Sequence, residues 1–273
     1  MALATKSIEF IRDLVEQQSG NVISPRQSYM LEQRLAPMAE TMGLDDVEGL
    51  VNELRRTRNP KLSTDVAEAV TVNETSFFRD MHVFQALQKK ILPDVIARNQ
   101  QTKTIRIWSA ASSSGQEPIS IGMVIREHFP ELSNWKIKIV ATDLSEAMLT
   151  KCRSGQYSQM EVNRGLPVAK LVKFFSRNGS TWQVKPEVLG LIDYKRMNLT
   201  KPWSYMGQFD VVLIRNVLIY FELAAKADIL QRVRGVLHPG GYLFIGAAET
   251  MIGMGAQYQR EEIDATVCYR PKA

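Results

Sequence analysis

Long hydrophobic runs are missing from this 273-residue sequence. The longest apolar stretches, Val211 to Ile214 and Val217 to Phe221, are strand-length, far short of the roughly 20 residues a membrane-spanning helix needs. No membrane insertion is expected. The start, MALATKSIEFIRDL, runs straight into an amphipathic helical pattern without the apolar core and small-residue cleavage site of a signal peptide, which points to the cytoplasm. Cysteine is scarce as well. Cys152 and Cys268 have neither metal-ligand spacing nor a framework pattern, so both read as reduced thiols. His82, His128 and His238 are scattered, and no metal site is expected. Aromatic side chains do not interleave with the basic ones as they do in single-strand binders. The net charge of +5 therefore reads as solvated surface, with no nucleic-acid partner expected. That charge is uneven: residues 1–70 hold 8 Lys+Arg against 11 Asp+Glu and the remainder 26 against 18, so the basic excess lies in the second part.

What is present begins with TIRIWSAASSSGQEP, residues 104–118. Ile105, Ile107, Trp108 and Ala110 make a short buried strand, small residues follow, and Pro118 sits at a plausible first helical position of a segment running to His128. Strand, small-residue loop and helix open a nucleotide-type α/β fold. Ser112-Ser113-Ser114-Gly115 offers a single glycine where a dinucleotide fingerprint wants three, so a pyrophosphate-binding turn is disfavoured. A second unit, WKIKIVATD, ends in Asp143 ahead of a helical stretch from Ser145. An acid there can accept from both ribose hydroxyls of a nucleoside, or it can be an ordinary helix N-cap.

In chain order, the first part is helical. Ile8, Ile11, Leu14 and Val15 recur at helical spacing before Gly20; Ser24-Pro25 opens a second helix, expected to kink or stop near Ala36 because Pro37 cannot donate. Asp45-Asp46 caps a third helix, and a fourth is expected after Ser63-Thr64, with the helical domain ending at residue 72. Arg55, Arg56, Arg58 and Lys61 form a local basic cluster that could face an acidic partner, although Arg55 and Arg56 also suit a helix C-terminus. Asn73 to Asp80 is a polar and aromatic junction in which Phe77 and Phe78 read as buried anchors. A helix from Met81 to Leu92 is expected to stop at Pro93. A small β insertion at about 157–194 carries the hairpin signal Asn178-Gly179. Phe209 to Ile214 is a strand buried on both faces, and the polar Arg215-Asn216 at its end lie where open α/β sheets bind ligands. A helix from Glu222 to Leu237, a turn at Pro239-Gly240-Gly241 and a last strand, Ala265 to Tyr269, complete the domain 73–273.

Asn73-Glu74-Thr75-Ser76-Phe77-Phe78-Arg79, Ala110 to Pro118, Ala141 to Ser145, Phe209 to Phe221 and Leu237 to Tyr242 together resemble the CheR family, the bacterial chemoreceptor glutamate O-methyltransferases. The resemblance covers essentially the whole chain. It implies a Rossmann-like, S-adenosylmethionine-dependent methyltransferase sheet with an N-terminal all-helical domain and a small antiparallel β insertion. It implies an enzyme that makes glutamate methyl esters on the cytoplasmic helical domain of chemoreceptors, releasing S-adenosylhomocysteine, with no metal. On the matching positions, Asp143 holds the ribose hydroxyls, Glu117 neutralises the cationic methionyl end, and Arg79 holds the cofactor carboxylate or the incoming glutamate. Asn198 contacts the adenine, with Leu199 counted beside it, and Asn73, Thr75, Arg215 and Asn216 complete the pocket. Tyr220 orients the acceptor carboxylate, though between Ile219 and Phe221 it also reads as core.

Family members that dock on a receptor's C-terminal pentapeptide resemble one another in a longer glycine-rich loop within the β insertion. Here the connection is only Arg177-Asn178-Gly179-Ser180, so independence of that peptide is expected. A nicotinamide-dependent dehydrogenase would want the glycine triplet; a non-catalytic scaffold would be expected to have lost Arg79, Asp143 or Tyr220. A nucleic-acid methyltransferase is the runner-up among enzymes, with nothing but the net charge to support it.

Overall fold

A computed structural model describes residues 3–204, 206–251, 253 and 256–272. The chain divides into two compact units: Met1–Val72 with Leu199–Lys201 and Tyr220–Lys226, and the remainder.

The first unit is built on the helices Thr5–Ser19, Tyr29–Thr41, Val47–Thr57 and Pro60–Ala69. Ile11, Val15, Leu31, Leu35, Leu50, Val51, Leu54 and Val66 form its buried core. Fully burying each such side chain is worth about 1.5–3 kcal/mol relative to exposure. Gly20 ends the first helix in the left-handed region at φ +77°, and Asp46 caps the third by accepting from the Gly49 N–H at 3.0 Å. Pro37 does not stop the second helix, which continues to Thr41. Leu31, Leu35 and Ala39 form one buried stripe across it, and that packing outweighs the ~3 kcal/mol cost of an interior proline. The fourth helix starts before Ser63-Thr64, because the Asn59 side chain accepts from Lys61 N at 2.9 Å and Pro60 supplies a first-turn φ.

The second unit is an α/β layer structure. Its strands are β1 (Thr104–Ala110), β2 (Lys136–Asp143), β3 (Gln156–Ser158), β4 (Phe175–Asn178), β5 (Thr181–Val184), β6 (Ile192–Arg196), β7 (Phe209–Ile214), β8 (Leu237–Ile245), β9 (Tyr258–Ile263) and β10 (Thr266–Pro271). Seven make one sheet in the order β6-β2-β1-β7-β8-β10-β9. The run from β6 to β8 is parallel, and β10 is antiparallel to both neighbours. Strand order reverses between β1 and β7, the switch point where such sheets bind ligands. Register brings the ends level: Ala110 pairs with Thr142 on one side and Ile214 on the other. Residues 111, 143 and 215 therefore emerge at one edge. Every residue of β7 is buried, as its continuous apolar run requires. Trp108, buried in β1, satisfies its indole N–H on Thr142 Oγ1 at 2.9 Å.

The insertion is a three-stranded antiparallel sheet, β3-β5-β4. Asn178 pairs with Thr181 across the tight turn Gly179-Ser180, with Gly179 at φ +58°. Short helices, Gln159–Asn163 and Val168–Phe174, belong to the same stretch, and β6 already joins the main sheet at Ile192. Pro93 does not stop its helix. A π-helical stretch, Leu87–Ile91, precedes Leu92–Arg98; the wider turn takes up the missing donor and the bulk of the ring. Pro239-Gly240-Gly241 lies inside β8, where pairing with β7 shifts from Phe209↔Leu237 to Val211↔Tyr242. β9 was not anticipated: only Tyr258 and Ile263 of its six residues are buried, so little alternation survives in the sequence.

Candidate active site

The loop after β1 is held in an unusual backbone. Ala111 and Ser113 adopt φ of +53° and +49° although neither is glycine, conformations that persist only where surroundings over-determine them. The surroundings are explicit. Ser113 N donates to Asp143 Oδ2 at 2.8 Å and Ser113 Oγ to the Asn73 carbonyl at 2.8 Å. Ser112 N donates to the Thr142 carbonyl, and the buried Tyr157 hydroxyl donates to the Ser114 carbonyl at 2.6 Å. Gly115, at φ +94°, starts the helix Gln116–His128; a Cβ there would sit 2.2 Å from Cys152 Sγ. Burial pushes the Cys152 thiol up to about 12, so it packs as a neutral group beneath the loop.

Asp143 itself ends β2 and is 8% exposed. Its Oδ1 accepts from Ser145 N at 2.9 Å. The N-cap of the next helix is Ser145, whose hydroxyl accepts from Met148 N, so the capping alternative for Asp143 is corrected.

The sheet edge is tied together by a buried ion network. Glu117, in the first turn after the loop, accepts from Ser109 Oγ at 2.7 Å and from Arg215 Nη1 at 2.8 Å. Arg215, with a 2% exposed side chain, also donates from Nη2 to the Arg79 carbonyl at 2.8 Å and to Asp80 Oδ2 at 2.5 Å. Arg79 is flanked by strain: Phe78 has φ +49° and Asp80 φ +59°. Phe77 and Phe78 are both buried, as anchors should be. Phe77 stacks edge-on against Tyr157 and Phe175 at 5.1 and 5.7 Å, and Phe78 N donates to Ser120 Oγ at 3.1 Å. The half-buried Arg79 side chain reaches the Glu74 carbonyl at 3.2 Å.

Asn73, Thr75, Arg79, Glu117, Asp143, Asn198, Arg215 and Asn216 all belong to the second unit. Asn73 and Asp143 are linked through Ser113, and Arg79, Glu117 and Arg215 through the ion network. Asn198 follows β6 just after Met197, whose N–H donates to the Asp143 carbonyl at 2.8 Å. Thr75 is half-buried in the junction. Leu199 and Tyr220 group with the first unit, where the Tyr220 carbonyl accepts from Val22 N at 2.8 Å. Ser109, Asp80 and Ser113 carry the network; the junction and the loop that hold Asp80 and Ser113 stand out in the sequence, but isolated polar residues form no pattern that assigns them individually to the site.

Two buried polar atoms at this edge have no hydrogen-bond partner among the described residues: Ser112 Oγ and Arg215 Nε. Buried polar groups are normally satisfied, and these two face the requirement of a ligand with its own donors and acceptors. Three carboxylates (Asp80, Glu117, Asp143) against two guanidiniums (Arg79, Arg215) leave the edge net negative, which suits a cationic sulfonium with ribose hydroxyls. The residues present thus fit S-adenosylmethionine. Among the described residues no cluster of His, Cys, Asp or Glu is arranged to hold a metal, and no helix is long and apolar enough to cross a membrane.

Residues 73–267 match the family described as CheR methyltransferase, SAM binding domain. A chemotaxis protein methyltransferase of Pseudomonas putida is 37% identical over 277 residues, covering 100% of both chains. One from Pseudomonas aeruginosa is 38% identical with the same full coverage, and one from Vibrio cholerae is 35% identical, again over 100% of each. The strand order, the polar network at the switch point and these full-length matches converge: the chain belongs to the CheR methyltransferase family and is an S-adenosylmethionine-dependent methyltransferase.

Proposed function

We propose that this enzyme acts in the cytoplasm, methylating glutamate side chains on the helical domain of chemoreceptors and so setting chemotactic adaptation. What supports the reading most is that relatives named for chemotaxis protein methylation match the chain end to end. Bound at the switch point, S-adenosylmethionine supplies an electrophilic methyl group. A glutamate acceptor, with a reference pKa of about 4.3, is ionised at neutral pH and needs no general base. The cofactor would give its methyl carbon to an oxygen of that carboxylate, with the sulfur as leaving group keeping the electron pair. The protein's task is alignment and removal of water.

In this reading Arg79 pairs with the acceptor carboxylate, aimed by the strained backbone on either side of it, and the Tyr220 hydroxyl orients the same group. Asp143 takes the ribose hydroxyls, and Asn198 with Leu199 lines the adenine end. Glu117 already has both oxygens engaged, so it meets the methionyl ammonium as part of a charge-balanced network with Arg215. Asn73, Thr75 and Asn216 close the pocket. The short Gly179-Ser180 turn supports docking without a C-terminal pentapeptide.

The test is methyl transfer from labelled cofactor to receptor-containing membranes, with the sites mapped by mass spectrometry. Label should fall on glutamates. Arg79→Ala and Tyr220→Phe should each lower turnover, by about 10²-fold for lost alignment, while remaining folded and while Tyr220→Phe still binds S-adenosylhomocysteine. A Tyr220→Phe enzyme with wild-type turnover would demote that residue to packing, and label on any other residue type would overturn the reading.

A further inference from the structure

Beyond β8 lies Glu249, in the small-residue stretch Gly246-Ala247-Ala248-Glu249-Thr250, which carries no motif. Its carboxylate gathers three backbone donors from two chain segments. Oε2 accepts from Asn216 N at 3.0 Å and Gly246 N at 2.6 Å, and Oε1 accepts from Ile219 N at 3.2 Å. Glu249 N in turn donates to the Gly246 carbonyl at 2.9 Å, so its backbone is anchored where its side chain is. Hydrogen bonds to an ionised acceptor are about twice as strong as neutral ones.

The segment being held is the one that leaves β7 at the switch point. Asn216 sits at φ +58°, a left-handed conformation that asparagine tolerates better than most residues but that remains less favourable for it than for glycine. Gly246 marks how close the two segments come. A Cβ at that position would lie 2.7 Å from Asn216 Nδ2, 2.8 Å from Asn216 N and 2.8 Å from Glu249 Oε2. Only glycine allows that approach.

We propose that Glu249 is a positioning residue: it holds the turn from Asn216 to Ile219 in the shape that presents Asn216 to the cofactor and fixes the chain immediately before Tyr220. This rests on the assignment of Asn216 to the cofactor site. Without the carboxylate, three N–H groups lose their acceptor and Asn216 is free to relax out of the left-handed region. Glutamine at 249 keeps one carbonyl oxygen for Asn216 and Gly246 and turns an amide donor toward the Ile219 N–H, so its effect is smaller.

The experiment measures S-adenosylhomocysteine affinity by calorimetry and methyl transfer to receptor membranes for Glu249→Ala, Glu249→Gln, Asn216→Gly, Asn216→Ala and the Glu249→Ala/Asn216→Gly double variant. Thermal melting of each accompanies these. Glu249→Ala should weaken affinity about 10-fold or more, the loss expected for one or two charge-assisted bonds, and lower turnover in parallel, with Glu249→Gln in between. Glycine adopts the left-handed region freely, so in the Asn216→Gly background the same substitution should cost about twofold or less. Wild-type affinity and turnover in Glu249→Ala would overturn the proposal, as would an equal loss in both backgrounds, which would mark Glu249 as a general stabiliser. Should Glu249→Ala fail to fold, Glu249→Gln in the two backgrounds decides in the same way. Failure of the underlying assignment has a separate signature, wild-type affinity in Asn216→Ala.

Discussion

Asp143 was readable from the sequence as an acid closing the second strand, but its partners were not. Its two oxygens already accept the Ser113 and Ser145 N–H groups, and the contact from Ser113 is made by a loop with left-handed backbone at Ala111 and Ser113, which no residue-type preference announces. The carboxylate is thereby pre-organised at low cost for further acceptance. Asp143→Ala should weaken S-adenosylhomocysteine binding by about 2–3 kcal/mol, read by calorimetry; unchanged affinity would remove it from the site. Arg215 shows the converse. It was placed toward a ligand by position alone, and its guanidinium proves to be committed to Glu117, Asp80 and the Arg79 carbonyl, with Nε left over. Cys152 makes a pH-dependent prediction. Burial raises its thiol to about 12 in the folded state, above the roughly 8.5 of an unfolded cysteine. Its contribution to stability is therefore complete below about pH 8.5 and lost as pH rises toward 12. A thiol reagent at pH 8 should leave Cys152 and Cys268, both buried, unlabelled in the native protein and label them after denaturation; fast native labelling of Cys152 would contradict the packing beneath Gly115.

Elements with strong periodicity or capping chemistry were legible: the parallel strands, the helix ended by Gly20, the helix capped by Asp46, and the Asn178-Gly179 hairpin. Where expectation failed, tertiary packing was the competing force. Pro93 sits inside a helical segment because a π-helical turn absorbs it, the helix expected to kink or stop before Pro37 does not stop there, and β9 escaped because edge burial touches only its ends. The hairpin bears on docking. β4 and β5 are joined by Gly179-Ser180 alone, which leaves a strand edge but no loop to close over a tethered peptide. Calorimetry with the family's tail pentapeptide should give no micromolar binding, and a receptor truncated of its tail should be methylated as fast as the full-length one. Tight peptide binding, or activity lost on truncation, would contradict this.

At the scale of the molecule, a helical unit and a doubly wound sheet follow from two separate patterns in one chain: 3.6-residue apolar spacing with dipole-matched caps first, then buried strands alternating with helices. Charge is divided the same way, acidic in the first 70 residues and basic beyond. The site drew its legibility from the sheet: register alone brings residues 111, 143 and 215 to one edge, whereas the supporting shell of Ser109, Asp80, Tyr157 and Glu249 comes from contacts that only the folded chain reveals. The central claim is that a carboxylate, already ionised, accepts the methyl group without a base. The most direct measurement is the chemical lability of the product: receptor membranes labelled from tritiated S-adenosylmethionine, then treated with mild alkali. The account predicts that the label leaves as volatile methanol, the mark of a carboxyl ester. Label that withstands alkali, as an N-methyl or ether methyl would, contradicts it.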